Sequence, residues 1–174
     1  MMASPSIEYR EAGLEDVFAI AQVNSDTMRE CGLGTPDIYD AERLRNRWDG
    51  YVRRVRHPQH ALEPRILFAA LVDSRLVGYI AGHFSQRYDT QGELQSIYVL
   101  KNYQGRGIGT ALLERLAAWL AENNRRCVCV GIDPKNPYQR FYEKHGACPI
   151  NEHWLAWDDI GSILRGPALA GSKP

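Results

Sequence analysis

The chain of 174 residues has the size of one domain, since domains run at roughly 100 to 200 residues. Hydrophobic residues at 44% and charged residues at 24% match ordinary globular proteins and set aside disorder, collagen-like repeats and coiled coil. Lys plus Arg and Asp plus Glu are both 21, for a net charge of zero, so no overall field holds a polyanion and nucleic acid is a poor partner.

Residues 6–11 alternate like a short strand, and Leu14, Val17, Phe18, Ala21 and Met28 then recur at helical spacing behind Glu15 and Asp16. The stretch CGLGTPD (31–37) reads as a loop. A second apolar stripe, Leu44, Trp48, Tyr51, Val52 and Val55, predicts a helix ended by His57-Pro58. Residues 65–72 and 75–84 are strand-like runs joined by Asp73-Ser74, a hairpin, and 93–100 is a further strand. Ile108, Leu112, Leu116, Trp119 and Leu120 stripe the next helix. A strand over 126–132, a short helix from Asn136 to His145 stopped by Gly146, and a strand over 152–158 complete the pattern. Residues 1–166 are expected to form a single domain, with GPALAGSKP ending in a flexible tail over 167–174.

No run of about 18 apolar residues exists to span a bilayer, and the opening MMASPSIEYREAG lacks the apolar stretch of a secretory signal. The expected location is the cytoplasm, away from membranes. Cys31, Cys127, Cys129 and Cys148 form no C-x-x-C pair, so buried, reduced thiols are expected, with no disulfide and no metal site.

Gly105, Gly107 and Gly109 stand where a strand gives way to a helix. Backbone N–H groups are unpaired there and the helix dipole is positive, so the turn suits a phosphate. Glycine lets the main chain approach the anion, Thr110 offers a hydroxyl, and Arg106 a charge at the rim. The spacing is neither a P-loop nor the dinucleotide fingerprint. A plain tight strand-to-helix connection is the alternative.

The run Val99-Leu100-Lys101-Asn102-Tyr103-Gln104-Gly105-Arg106-Gly107-Ile108-Gly109 resembles the central motif of the GCN5-related N-acetyltransferase (GNAT) family, V-x-x-x-Y-[QR]-G-x-G-[IL]-G. A second element of that family, N-x-x-x-x-F-Y-E-K-x-G, is matched by Asn136 through Gly146. The order of elements resembles the family from residue 6 to about 158, the first 60 residues by pattern alone. Lys101 stands where Pro is common, and Ala147 where Phe often follows the glycine.

The resemblance implies an α/β fold, of the α+β kind: a mixed, mostly antiparallel sheet of six to seven strands, splayed at its centre and flanked by about four helices. It also implies acetyl-CoA as cosubstrate, with no metal. The main chain of Ile97, Tyr98 and Val99 would pair with the pantetheine arm. Gln104, Gly105, Arg106, Gly107, Ile108, Gly109 and Thr110 would hold the pyrophosphate, and Asn136 would contact the cofactor arm.

An amine acceptor with a pKa near 10 must lose a proton, a penalty of roughly 4 kcal/mol at neutral pH. Glu93 lies eleven positions before Gln104, the offset of the general-base glutamate in the histone-acetylating members of the family. Tyr142 matches the tyrosine that protonates the departing thiolate. Either could instead be bland: a surface carboxylate, or a core tyrosine beside Phe141. His83, His145 and His153 lack suggestive partners and read as structural or exposed. Six arginines lie between residues 43 and 56, a solvated face or an acidic-substrate lip. Asp26, Glu30 and Tyr39 are further acceptor-side candidates.

The leading expectation is a monomeric or homodimeric N-acetyltransferase acting on a small-molecule or peptide amine by direct attack. The rivals are a CoA-binding regulatory module without turnover and an acyltransferase of RNA-linked amines.

Overall fold

The computed structural model describes residues 6–35, 40–55 and 61–166. Seven strands, β1 (Ile7–Glu11), β2 (Ala61–Val72), β3 (Arg75–Ser85), β4 (Gly92–Val99), β5 (Val128–Gly131), β6 (Cys148–Asn151) and β7 (Trp154–Trp157), form one sheet in the order β1-β2-β3-β4-β5-β7-β6. Every neighbouring pair is antiparallel except β4 with β5. Four α-helices, α1 (Val17–Glu30), α2 (Ala41–Val52), α3 (Ile108–Glu122) and α4 (Gln139–Lys144), flank it.

Local chemistry sets these elements. The β2–β3 hairpin turns on Asp73 and Ser74, both at positive φ (48° and 66°), as a two-residue turn matching the strand twist requires. Asp40 caps α2 by accepting from Arg43 N–H at 2.7 Å. Asp16 leads into α1, accepting from Gly13 N–H at 2.9 Å while Arg10 grips its two oxygens at 2.7 and 2.9 Å.

The sheet has two covered faces. On one, Leu112, Leu113, Leu116 and Leu120 of α3 pack against Val77, Ile80, Leu94, Val128 and Leu155. On the other, Ile20 and Val23 of α1 and Leu44, Trp48 and Tyr51 of α2 pack against Leu67, Ala69, Tyr79 and Ala81. Trp48 Nε1–H donates to Asn24 Oδ1 at 3.2 Å, tying α2 to α1.

Two features of β4 position the site. Ala81 faces Ser96 while Gly82 faces Leu94, so Gln95 is an extra residue, a β-bulge. The bulge puts Glu93 on the same face as Ser96 and Tyr98, although the odd offset from Glu93 to Tyr98 would put them on opposite faces of a regular strand. The parallel pairing with β5 runs only from Gly92/Val128 to Leu94/Val130, and beyond it the two strands part.

Several expectations shift. The helix predicted from Asn136 begins at Gln139, because Asn136 Oδ1 accepts from Tyr138 N–H at 2.8 Å in a turn that precedes it. The strand expected over 152–158 is the second arm of a hairpin whose first arm, β6, is exposed throughout and carries no alternation. β2 starts at Ala61, and its ladder breaks between Leu62 and Arg65, where Pro64 has no N–H to give. All four thiols are free, but only Cys129 is buried; Cys31 and Cys127 are half-buried and Cys148 is exposed. Burial pushes the Cys129 thiol up to about 11. The predicted helix stop at His57-Pro58, the end of the 31–37 loop, Arg56, Tyr39 and the 167–174 tail lie outside the described residues. No helix among the described residues is long and apolar enough to cross a membrane.

Candidate active site

The parting of β4 from β5 leaves main-chain groups of β4 unpaired. Leu100 N–H donates to Val77 O at 2.9 Å and Val99 opposes Gly78. In an antiparallel ladder this turns the peptide groups of Tyr98 and Leu100 toward β3 and those of Ile97 and Val99 away from it. Gln104 Nε2–H meets Val99 O at 2.8 Å on that far side. Of the three residues expected to offer main-chain bonds, Ile97 and Val99 face the opening, and Tyr98 is committed to the sheet.

The glycine turn lies just past the end of β4. Gly105 and Gly107 have φ of 73° and 79°, and a Cβ at either would meet nothing within 4 Å. Backbone conformation, not crowding, demands glycine there. Ala111 N–H donates to Gly107 O at 3.0 Å, so the amides of Ile108, Gly109 and Thr110 head the helix without intrahelical acceptors. The Ile108 side chain is buried under α3, and only its amide is on offer. Arg106 folds back, donating to Asn102 O at 3.0 Å with its guanidinium 5.2 Å from the Tyr103 ring centroid.

Two contacts that sequence reasoning missed brace the turn against α4. Tyr138 O–H donates to Gln104 Oε1 at 3.1 Å. Thr110 Oγ1 lies 3.2 Å from His145 Nε2, and His145 Nδ1 lies 2.7 Å from Phe141 O. A carbonyl can only accept, so Nδ1 carries a proton toward Phe141 O, and Thr110 and His145 share the contact at Nε2. Asn136 is half-buried nearby in sequence, its Oδ1 engaged by Tyr138 N–H.

Tyr142 is 7% exposed, beside Phe141 and Trp157. Burial, reinforced by Tyr98, raises its pKa well above 10. Such a phenol stays protonated through the neutral range and is a standing hydrogen-bond donor.

Glu93 is 5% exposed and belongs to a polar cluster that no local pattern announced. Its Oε2 accepts from Arg87 Nε–H at 3.1 Å and from Ser85 Oγ–H at 3.4 Å. His83 Nε2 stands 3.6 Å away, just beyond hydrogen-bond length. Tyr51 O–H donates to Gly82 O at 2.6 Å, with His83 Nδ1 3.3 Å from its oxygen. Burial raises the Glu93 pKa, but His83 and Arg87 outweigh it and hold the carboxyl below its usual value. Arg87 also stacks on Trp154, 4.6 Å from the ring centroid. The signal in the sequence was polarity out of place: His83 sits at an inward position of the apolar run GYIAGHF.

Other candidates stay apart from this cluster. Arg43, Arg45, Arg47, Arg53 and Arg54 are exposed, and Arg53 pairs with Asp49 at 2.9 Å, as on a solvated face. Asp26 accepts from Gln22 at 2.9 Å, Glu30 is exposed, and His153 is exposed beside Glu152.

A sheet opened between its parallel central strands, with a glycine turn and an open helix N-terminus at the mouth, is the architecture of an acetyltransferase fold. Known proteins agree. The chain belongs to the acetyltransferase (GNAT) family, whose profile matches residues 35–147. It is 30% identical over 116 residues to an uncharacterized N-acetyltransferase of Mycobacterium tuberculosis, covering 66% of this chain and 73% of that protein. Among solved structures, the PaiA N-acetyltransferase of Thermoplasma acidophilum in complex with coenzyme A superposes with a TM-score of 0.69 at 18% identity, over 88% of this chain and 99% of that one. A GNAT family acetyltransferase of Brucella melitensis in complex with acetyl-CoA gives 0.61 at 18% identity, over 98% and 93%.

Proposed function

We propose that residues 1–166 form one catalytic domain that transfers an acetyl group from acetyl-CoA to an amine by direct attack. The observation that carries this is the parting of β4 and β5 beside the glycine turn: main-chain groups of Ile97 and Val99 that face away from β3, with only the Val99 carbonyl engaged, by the Gln104 side chain, lead to the amides at the head of α3. An extended pantetheine arm would add to β4 as a strand does, and the pyrophosphate would sit on the helix N-terminus. Gln104, Gly105, Arg106, Gly107, Ile108, Gly109 and Thr110 would shape that seat, and Asn136 would border the arm.

The β4 main chain holds the thioester carbonyl and stabilises the charge that develops on its oxygen. The amine nitrogen attacks the carbonyl carbon, the C–S bond breaks, and CoA leaves as a thiolate. Tyr142 donates a hydrogen bond or its proton to that sulfur. With its pKa raised, it serves best as a donor that stabilises the thiolate, whose own pKa is near 8.5. Glu93 takes the proton from the amine, directly or through water. Its lowered pKa keeps it ionised at neutral pH, and this also makes it a weak base.

The test is a thiol-release screen over amines, amino acids and peptides, run beside melting curves with acetyl-CoA. A hundredfold excess of ligand over its Kd should stabilise the fold by about 2.7 kcal/mol, and desulfo-CoA should do nearly as well. A melting temperature indifferent to millimolar acetyl-CoA would refute the cofactor assignment. Stabilisation without thiol release from any amine would favour the regulatory-module alternative.

A further inference from the structure

Arg65 stands in register with His83, and His83 with Glu93. Directly opposed residues share a face of the sheet. Guanidinium, imidazole and carboxylate therefore form one row across β2, β3 and β4, on the side of α1 and α2. With strands roughly 4.8 Å apart, the backbones of Arg65 and Glu93 lie about 10 Å from each other.

Arg65 is 5% exposed, and its Nε, Nη1 and Nη2 are all buried with no hydrogen-bond partner among the described residues. The guanidinium lies over Tyr51, 5.1 Å from the ring centroid. Stacking uses its flat face and leaves the in-plane N–H donors idle. Burial depresses its pKa, Tyr51 opposes this, and the remaining charged neighbour acting on it is Arg54, another cation. Glu93, the carboxylate of the row, is engaged by Arg87 at 3.1 Å. A buried cation without partners is costly to keep, and a planar fork of unused donors matches two oxygens of one anion.

We infer that Arg65 anchors an anionic group of the acceptor, a carboxylate or a phosphate. This rests on the acetyltransferase reading, with the acceptor amine at the Glu93 end of the row. The row's spacing suits an amine and an anion several bonds apart, as in a short peptide, more than an α-amine beside its own carboxylate.

Matched acceptors test the anchor: short peptides as free acids and as C-terminal amides, and aminoalkyl phosphates against their parent amino alcohols. The wild-type enzyme should prefer the anionic member of a pair at least tenfold in kcat/KM, and the pair with the larger preference identifies the anion. Arg65→Met should bring that ratio close to one, and Arg65→Lys should keep part of it. Equal rates within each pair for the wild type, or an undiminished ratio in Arg65→Met, would overturn the inference. Melting gives an independent readout. Arg65→Met should melt at or above the wild type, because an apolar chain replaces an unpaired buried charge. A Tm lower by more than about 5 °C would assign Arg65 to the fold instead. If no amine releases thiol, the transfer reading alone fails, and the anchor is then judged by whether peptide acids or aminoalkyl phosphates raise Tm. Protection by anions and not by their neutral counterparts, lost in Arg65→Met, would uphold it; no protection would overturn it.

Discussion

On the α3 face of the sheet the buried cluster is built from apolar and aromatic side chains, whereas the opposite side buries Arg65, His83, Ser85 and Glu93 along β2, β3 and β4. The first face supports the glycine turn, and in the proposed reaction it would work through backbone: peptide groups of β4 and amides at the head of α3. The second works through side chains, each needing a partner to offset its desolvation. The contrast teaches where substitution should be felt. Changes beside the turn should act on the cofactor, and changes in the polar row on the acceptor and on pH dependence.

The largest expected effect is on the backbone side. Gly107→Asp places a carboxylate beside the proposed pyrophosphate seat and should weaken acetyl-CoA binding about a thousandfold, some 4 kcal/mol, by titration calorimetry. The space around Gly107 is open, so the fold should survive the modest cost of a positive φ. Unchanged affinity would move the phosphate elsewhere and dissolve the contrast. Next, Tyr142→Phe removes one hydroxyl from the apolar face and should lower kcat about a hundredfold while acetyl-CoA affinity holds. More than half of wild-type kcat, with chemistry rate-limiting, would reassign Tyr142 to packing.

A third prediction asks whether ion pairs on the polar side hold the fold as well as the substrate. Asp16→Asn loses the charge that accepts from Arg10 and Gly13 and should cost about 2 kcal/mol of stability, read by urea denaturation. Burial raises the Asp16 pKa, but Arg10 and Gly13 bring it below the usual value. The contribution is therefore complete above the unfolded pKa near 3.9 and is lost as pH falls through the lower folded pKa. A stability difference between the two proteins that persists undiminished at pH 2 would refute this linkage.

The smallest effect is expected of Glu93→Gln, about tenfold in kcat/KM near pH 7. The variant's profile should climb toward the amine's own pKa, near 10 for a Lys-like acceptor, while the wild type levels off earlier. Parallel profiles offset by a constant factor would make Glu93 a positioning residue. Identical rates would make it a bystander.

The backbone side was the legible one. Three alternating glycines ahead of an apolar stripe fix a strand, turn and helix in one continuous stretch from Gly92 to Glu122, and local pattern is what a sequence displays. The hairpin at Asp73-Ser74 was visible for the same reason. Hidden were the features set by register. Arg65 meets His83, and His83 meets Glu93, only through registers that irregularities at Ala70/Leu71 and Ala81/Gly82 displace from the plain hairpin count. The unpaired guanidinium follows from burial, which no spacing announces. Strand β6 escaped notice because four exposed residues, one of them Pro149, carry no periodicity.

Gln95 gives β4 two phases. Upstream of it odd-numbered Glu93 faces α1 and α2 and even-numbered Leu94 faces α3; downstream, Tyr98 and Ile97 reverse that parity. Were Gln95 to take an ordinary place in the ladder opposite Gly82 while α3 and the glycine turn hold the downstream half in place, the upstream half would slip by one residue and turn onto the wrong side. Glu93 would then be driven toward the leucines of α3, and Leu94 would land between His83 and Arg87. One inserted residue thus keeps a carboxylate out of a hydrocarbon core and lets each half of the strand keep its own frame.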